Sequence, residues 1–191
     1  ATALQRQNFD YAIAIFQQVL QREPAFLECR QGLRAAQIKK TGGSTGFFKK
    51  MIGGASNSPL IAKAQMAKSR PIEAMQIAEQ ILENDPQGSI GNKILAEAAM
   101  AASLPKTACF AYEILLKVSP RDFDLTMAYG EALAAAGQVS KAETVYEELR
   151  RAHPNKGEIS DALKNLSARK TLNEGGYEAL ADGTGSYRDI L

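Results

Sequence analysis

The sequence predicts an all-α solenoid, a stack of antiparallel helix pairs, and three observations support this. Prolines recur at a strict step of 34 residues, at Pro86, Pro120 and Pro154. A fixed period of this length is typical of repeat architectures in which each unit packs on its neighbours. The apolar periodicity is helical nearly throughout, and strand patterns are missing. Small residues keep the 34-residue step in two further series, which are Ala62, Ala96 and Gly130, and Ala74, Ala108 and Ala142.

Each predicted unit contains two helices, and the sequence marks where they begin and end. Pro71 and Pro105 suit the first turn of a helix, because the N–H that proline lacks has no intrahelical partner there. The periodic proline ends the second helix, because proline cannot continue it. The register therefore predicts six regular helices, over residues 59–69, 71–84, 89–102, 105–118, 122–136 and 139–152.

The two series of small residues predict how the helices of one unit pack. Ala96 of a first helix precedes Ala108 of the second by twelve positions, and the neighbouring units repeat this spacing. Two helices approach closely only where the facing side chains are small. We therefore expect Ala96 and Ala108 to be buried, and likewise Ala62 with Ala74.

The N-terminal 40 residues follow the pattern less regularly. Asn8 opens a helix in the position of a second helix, and residues 27–40 then form the first helix of the next unit. In this register Ala1 falls in the middle of a helix, so we expect a truncated repeat and a chain that is a fragment of a longer protein. Arg34 stands where the pattern requires a small residue.

The period breaks between residues 41 and 58. Pro24 and Pro86 are 62 residues apart, six fewer than two periods. Two glycine-rich stretches flank the island 47–52, and each glycine disfavours a helix by about 1 kcal/mol relative to alanine. We therefore expect the second helix of this unit to be reduced to about one turn or lost, and 41–58 to form a flexible joint.

The C-terminal part predicts a capping helix followed by an irregular tail. Residues 155–169 place Ile159, Leu163 and Leu166 on one helical stripe. Glycines interrupt residues 170–191, which is typical of an irregular terminus. The predicted organisation is therefore truncated helices over 1–40, the joint over 41–58, a regular array with its capping helix over 59–169, and the tail over 170–191.

Residues 1–169 resemble the tetratricopeptide repeat family. Its pattern has a small residue at position eight, alanine at twenty, an aromatic residue near twenty-four and proline at thirty-two. Two units fill all four positions, with Ala96, Ala108, Tyr112 and Pro120, and with Gly130, Ala142, Tyr146 and Pro154. The chain departs from the pattern at Ala78, which replaces an aromatic residue, and at Asn92 and Thr126, which replace a tryptophan. The resemblance implies a right-handed α-α superhelix.

The resemblance also implies a function, that of a non-catalytic scaffold or adaptor that binds a peptide or helix of a partner protein in a concave groove. Positions two, five, nine and twelve of the first helices would line it. Methionines there suit an adaptable peptide-binding surface, although they equally suit the filling of gaps between repeats. Asp124 and Glu131 would repel a carboxylate, which argues against recognition of a C-terminal carboxylate. The predicted groove residues are Lys63, Met66, Ile90, Lys93, Glu97, Met100, Asp124, Met127 and Glu131.

The charge distribution suggests an alternative function. The chain has a net charge of +2, but residues 29–72 contain nine basic and no acidic residues, so the remainder sums to 2 − 9 = −7. Basic and apolar residues of the joint would suit an anionic membrane surface or nucleic acid. The pattern favours a solvated basic face that answers the chain's own acidic part, and a contact with a protein partner also fits it. The residues of this basic and apolar surface are Lys39, Lys40, Phe47, Phe48, Lys49 and Lys50.

The sequence predicts no catalytic residue, no cofactor and no metal site. His153, the single histidine, directly precedes Pro154, where it suits the negative end of a helix dipole. The glycine-rich stretch 42–46 lacks the lysine and the hydroxyl residue of a phosphate-binding loop. Cys29 and Cys109 make no disulfide framework, which favours a reducing compartment such as the cytoplasm. Self-association through the truncated N-terminal end or the tail stays open.

Overall fold

A computed structural model describes residues 8–42 and 58–174 of the chain and confirms the all-α fold class. Within these ranges the regular structure is entirely α-helical, without strands. Short turns connect most of the helices, as in other tandem helical repeats. The helices are α1 (Phe9–Arg22), α2 (Leu27–Lys40), α3 (Ser58–Met66), α4 (Pro71–Asn84), α5 (Ser89–Ala101), α6 (Pro105–Val118), α7 (Phe123–Ala135), α8 (Val139–Ala152) and α9 (Gly157–Glu174).

The helices belong to two compact units, which are divided between Arg121 and Asp122. In the first unit α1 packs against α2, and α3 to α6 pack each against the next. In the second unit α8 packs against both α7 and α9, and α9 also contacts α7. Packing between helices that follow each other in the chain is what a solenoid of helix pairs requires.

The predicted helix boundaries hold best where proline sets them. α4, α6 and α8 match the predicted ranges residue for residue, and Pro71 and Pro105 are the first residues of their helices. At the start of α7, the Asp122 carboxylate accepts a hydrogen bond from the Leu125 N–H at 3.0 Å, which caps the helix. α9 ends only at Glu174, so the first five residues of the predicted tail are helical.

The small residues of the repeat are buried, and the structure shows why they are small. Ala96 and Ala108 are fully buried, as the period predicts. A Cβ atom added to Gly130 in α7 would lie 2.5 Å from Cε1 of Tyr146 in α8, far inside van der Waals contact. Gly32 in α2 faces the Phe16 ring in the same way, at 2.8 Å from Cζ. A small residue on one helix thus makes room for an aromatic ring on its neighbour.

Asn92 occupies the position at which the family pattern has tryptophan. Its side chain is buried, and its Nδ2 donates hydrogen bonds to the backbone carbonyls of Pro86, at 3.3 Å, and Gly88, at 2.9 Å. Asn92 therefore ties the turn around the periodic proline to the start of α5. At the equivalent position of the next 34-residue repeat, the Thr126 hydroxyl donates to the Asp122 carbonyl at 2.7 Å.

One expectation for α3 is wrong: Ala62 is exposed. Ala64 and Ala67 are buried instead, at 3% and 0% exposure. Ala74 of α4, the expected partner of Ala62, is buried as predicted. The buried face of α3 thus lies about two residues later in the chain than the 34-residue step predicts.

The turn after α3 differs from the turns after α5 and α7. After α5 and α7, the left-handed residues Ser103 (φ 58°) and Gly137 (φ 75°) close the helix end. The closure includes hydrogen bonds from Leu104 N–H to Ala99 C=O at 2.8 Å, and from the equivalent Gln138 N–H at 2.9 Å. In the turn 67–70, which is fully described, no residue has a positive φ, so this closure does not fix the register of α3 against α4.

Arg34, the residue that breaks the small-residue pattern, is buried together with Arg30. Both contact Glu79 of α4: Arg30 Nη1 lies 2.5 Å from Oε1, and Arg34 Nη2 lies 2.9 Å from Oε2. Arg30 also donates to the Pro24 carbonyl at 2.8 Å, and Arg34 donates to Gln37 Oε1 at 2.5 Å. This Arg30–Glu79–Arg34 cluster joins α2 to α4. Two of the nine basic residues in the window 29–72 are therefore internal.

Several predictions concern residues outside the described ranges. These are the truncated helix before Asn8, the island 47–52 with its glycine-rich flanks, and the tail after Glu174. They stay predictions.

Candidate partner-binding grooves

The first unit contains a groove between α3 and α5, with a volume of about 450 Å³. α3 contributes Ile61, Gln65 and Lys68. α5 contributes a mixed apolar and charged stripe in which Ile90 is 51% exposed. We call this the α3–α5 groove, and its residues from α5 are Ile90, Lys93, Ile94, Glu97, Ala98 and Ala101.

The second unit contains a groove of about 430 Å³ between α7 and α9. α7 contributes Met127, Glu131 and two alanines, and Tyr146 of α8 also lines it. We call this the α7–α9 groove, and its residues from α9 are Glu158, Asp161, Ala162, Asn165, Leu166 and Arg169.

The two grooves use the same face of the repeat. Each residue that α9 contributes lies 68 positions, or two periods of 34, after a residue that α5 contributes: Glu158 follows Ile90, and Arg169 follows Ala101. The same helical stripe of each later helix therefore lines a groove. This repetition follows from the 34-residue period of the sequence.

Five of the nine predicted groove residues line one of the two grooves. Ile90, Lys93 and Glu97 line the α3–α5 groove, and Met127 and Glu131 line the α7–α9 groove.

The other four predicted residues line neither groove. Lys63 and Met66 are exposed on α3, where Gln65 and Lys68, two residues later, line the groove instead. Asp124 is exposed in the first turn of α7, and Met100 is half-buried.

Sequence reasoning missed two sets of lining residues, for different reasons. Ile61, Gln65 and Lys68 follow from the displaced register of α3, for which the 34-residue step contains no signal. Glu158 and Asp161 could have been found, because the step extends into α9 without a break. That helix was expected to act only as a cap.

The grooves differ in charge. Lys68 and Lys93 against Glu97 give the α3–α5 groove a net charge of 2 − 1 = +1, and Lys93 lies 4.0 Å from Glu97. In the α7–α9 groove one arginine faces three carboxylates, a net charge of 1 − 3 = −2. The charged residues of the α7–α9 groove are Glu131, Glu158, Asp161 and Arg169.

The pKa of Tyr146 reflects its burial and the charges that line the α7–α9 groove. Burial raises the pKa of its phenol to about 12, and the Glu131 carboxylate also raises this pKa, while Arg169 lowers it. Both charges therefore act on the phenol from the groove that Tyr146 lines.

The predicted basic surface is only partly described. Lys39 is exposed, and Lys40 lies 2.7 Å from an oxygen of Asp10, a hydrogen bond that raises the lysine pKa. Phe47, Phe48, Lys49 and Lys50 lie outside the described residues.

Within residues 8–42 and 58–174, histidine, cysteine and carboxylate side chains form no group that could hold a metal ion. His153 packs edge-on against Phe123, with ring centroids 5.1 Å apart, and Lys156 lies 4.5 Å from the centroid of the same ring. In these ranges no helix combines the length and apolarity that crossing a membrane requires.

Comparison with known families decides the identity of the repeat. Residues 95–156 match the model of the tetratricopeptide repeat family. These residues form a tetratricopeptide repeat region. The match begins within α5 and ends in the turn before α9, so it covers the most regular part of the chain. Tetratricopeptide repeats generally mediate protein–protein interactions and are typically non-catalytic. No curated protein matches the chain.

Proposed function

We propose that this protein is a scaffold or adaptor that binds a peptide or helix of a partner protein in its grooves. The observation that carries the proposal is the α3–α5 groove, in which three isoleucines line an open cavity. Ile90 is exposed, and Ile61 and Ile94 are half-buried.

Covering these side chains would favour binding. Fully burying an isoleucine side chain contributes about 1.5–3 kcal/mol relative to leaving it in water. Lys68, Lys93 and Glu97 line the same cavity, so a partner would meet charges of both signs beside the apolar contact. Apolar anchors flanked by charges are typical of peptide and helix recognition.

The test compares two substitutions of equally exposed apolar residues. Ile90→Ser removes an apolar side chain from the groove, whereas Val118→Ser removes one that is 54% exposed outside it. Partners captured from an extract of the source cells should be lost with Ile90→Ser and retained with Val118→Ser, at unchanged helix content by circular dichroism. Equal losses with both variants would contradict binding in this groove.

The alternative function is docking of the basic surface on an anionic membrane or nucleic acid. Phosphate contacts weaken steeply as salt rises, whereas an apolar groove contact should persist. Binding to anionic vesicles or nucleic acid that disappears at about 200 mM salt, and with Lys49→Ala/Lys50→Ala, would support the alternative. The burial of Arg30 and Arg34 leaves fewer free charges for it than the sequence suggests.

A further inference from the structure

The α7–α9 groove has a strong excess of carboxylates for so small a cavity. Glu131, Glu158 and Asp161 line it and are all exposed, so their charges face solvent at the rim. Arg169 is the one cation among its lining residues. An acidic rim around a concave surface attracts cations and disfavours anions.

The charges also have a direction along the groove. Glu158 and Asp161 lie in the first two turns of α9, and Arg169 follows Asp161 by eight residues, about 12 Å at the 1.5 Å rise of a helix. One end of the groove is therefore acidic and the other carries the arginine. Cationic side chains of a bound segment would lie at the end marked by Glu158 and Asp161.

Neighbouring lysines do not neutralise the acidic end. Lys156 lies 3.4 Å from Glu158, and Lys164 lies 3.3 Å from Asp161, but the side chains of both pairs are more than half exposed. Exposed pairs of this kind are weak because water screens them and holding two long side chains in place is entropically unfavourable. Both carboxylates therefore stay available to the cation of a partner.

The groove also offers apolar contacts. Met127 and Ala134 of α7 and Leu166 of α9 line it together with Tyr146. Methionine adapts its shape to an apolar partner surface more readily than branched side chains do. The groove therefore suits an occupant that has an apolar stripe beside cationic side chains.

From this arrangement we propose that the α7–α9 groove binds a lysine- or arginine-bearing amphipathic segment of a partner protein. The proposal rests on the proposed function of the grooves and adds the charge of the partner segment. The α3–α5 groove, with Lys68 and Lys93 against one glutamate, lacks this preference. The two grooves thus differ in whether they favour a cationic segment.

The experiment uses two labelled probes with the same apolar pattern, an amphipathic leucine–lysine helix peptide and its leucine–glutamate counterpart. Fluorescence anisotropy with the whole chain should show the lysine peptide binding at least about tenfold more tightly, with a difference that shrinks as salt rises. Glu131→Gln/Asp161→Asn should weaken binding of the lysine peptide about three- to tenfold. Glu143→Gln/Glu148→Gln is the matched control, because it removes two exposed carboxylates of α8 that line neither groove, and it should leave this affinity unchanged.

The outcomes separate the charge proposal from the proposed function. If both peptides bind equally, or if Glu131→Gln/Asp161→Asn and Glu143→Gln/Glu148→Gln weaken binding equally, the preference for cations is wrong. In that case, loss of binding of both peptides with Met127→Ser would show that the peptides still bind in the α7–α9 groove. If neither peptide binds, both proposals fail for this groove. A dimer in sedimentation experiments that dissociates with Glu131→Gln/Asp161→Asn would identify a second copy as the occupant and overturn the proposed partner.

Discussion

Two helix contacts in this molecule fill their buried space in opposite ways. Between α7 and α8, Gly130 has no side chain, and the ring of Tyr146 lies directly against its backbone. Between α2 and α4, Arg30 and Arg34 fill the space and Glu79 pairs with both. The first contact belongs to the 34-residue pattern, whereas the second lies beside the stretch in which that pattern breaks.

The difference shows what each contact depends on. The contact of Gly130 with Tyr146 depends on shape, so it tolerates changes of salt. The Arg30–Glu79–Arg34 cluster places two guanidinium groups against one carboxylate, which leaves a net positive charge inside. The Nε atoms of Arg30 and Arg34 are buried and have no hydrogen-bond partner. Such a cluster adds little net stability compared with well-packed apolar residues, but removal of one partner is strongly destabilising.

The largest expected effect comes from removing the shared carboxylate. Glu79→Gln leaves two buried guanidinium groups without a counter-charge and should lower the free energy of unfolding by about 3–5 kcal/mol. Urea denaturation followed by circular dichroism measures this loss. Glu83→Gln is the matched control, because Glu83 is exposed on the same helix and accepts only a 3.4 Å hydrogen bond from Gln17. Equal losses in the two variants would show that the cluster has no special role.

Overfilling the shape-dependent contact should have the next largest effect. Gly130→Ala places a methyl group against the Tyr146 ring and should destabilise the chain by about 1–3 kcal/mol, because the ring or the helix must move. Gly157→Ala is the control, since a Cβ atom there has no atom within 4 Å. Thermal unfolding compares the two. A Gly130→Ala variant as stable as Gly157→Ala would mean that α7 and α8 can separate without penalty.

The sequence predicted the fold where the determining chemistry is local. Proline acts on its own turn, so the ranges of α4, α6 and α8 could be predicted to the residue. The Arg30–Glu79–Arg34 cluster could not, because Arg34 and Glu79 are 45 residues apart and charged residues normally indicate solvent exposure.

The lining residues of the grooves likewise include some that could be predicted from the sequence and some that could not. Ile90, Glu97, Met127 and Glu131 could be predicted to line a groove, because the repeat register places them on one stripe. Gln65 and Lys68 could not be predicted, because the buried face of α3 lies about two residues later than the period predicts.

Substitutions in the turns should have a smaller effect on stability. A serine-to-glycine change should stabilise the regular turn after α5 and destabilise the turn after α3. Ser103 adopts a positive φ that favours glycine, so Ser103→Gly should stabilise the chain by about 1 kcal/mol. Gly137→Ala should destabilise it by a similar amount, because a Cβ at Gly137 meets nothing and only backbone strain acts.

Ser69 is the control, because it lies one period before Ser103 in the turn that lacks a positive φ. Ser69→Gly should destabilise the chain by about 0.5–1 kcal/mol, because glycine only adds freedom to the unfolded chain. Melting temperatures of the three variants decide the signs. A stabilising Ser69→Gly would show that the turn after α3 closes as the others do.

The smallest effect on stability near neutral pH concerns the ionisation of Tyr146. Its contact with Gly130 depends on shape alone only as long as the phenol is neutral. Its folded pKa of about 12 lies above the unfolded value of about 10, mainly because of burial. The folded state therefore holds this proton more tightly, and the resulting stability is present below pH 10 and lost as pH rises towards 12. Unfolding measurements across this range should show a steeper loss of stability for the unmodified chain than for Tyr146→Phe.

Glu131→Gln should lower the Tyr146 pKa in tyrosinate absorbance titrations, but not to the unfolded value, because burial remains. Equal pH dependence in the unmodified chain and Tyr146→Phe would mean that the folded state tolerates a phenolate beside Gly130. The Tyr146 ring would then lie less tightly against Gly130 than the 2.5 Å between Tyr146 Cε1 and a Cβ atom added at Gly130 indicates.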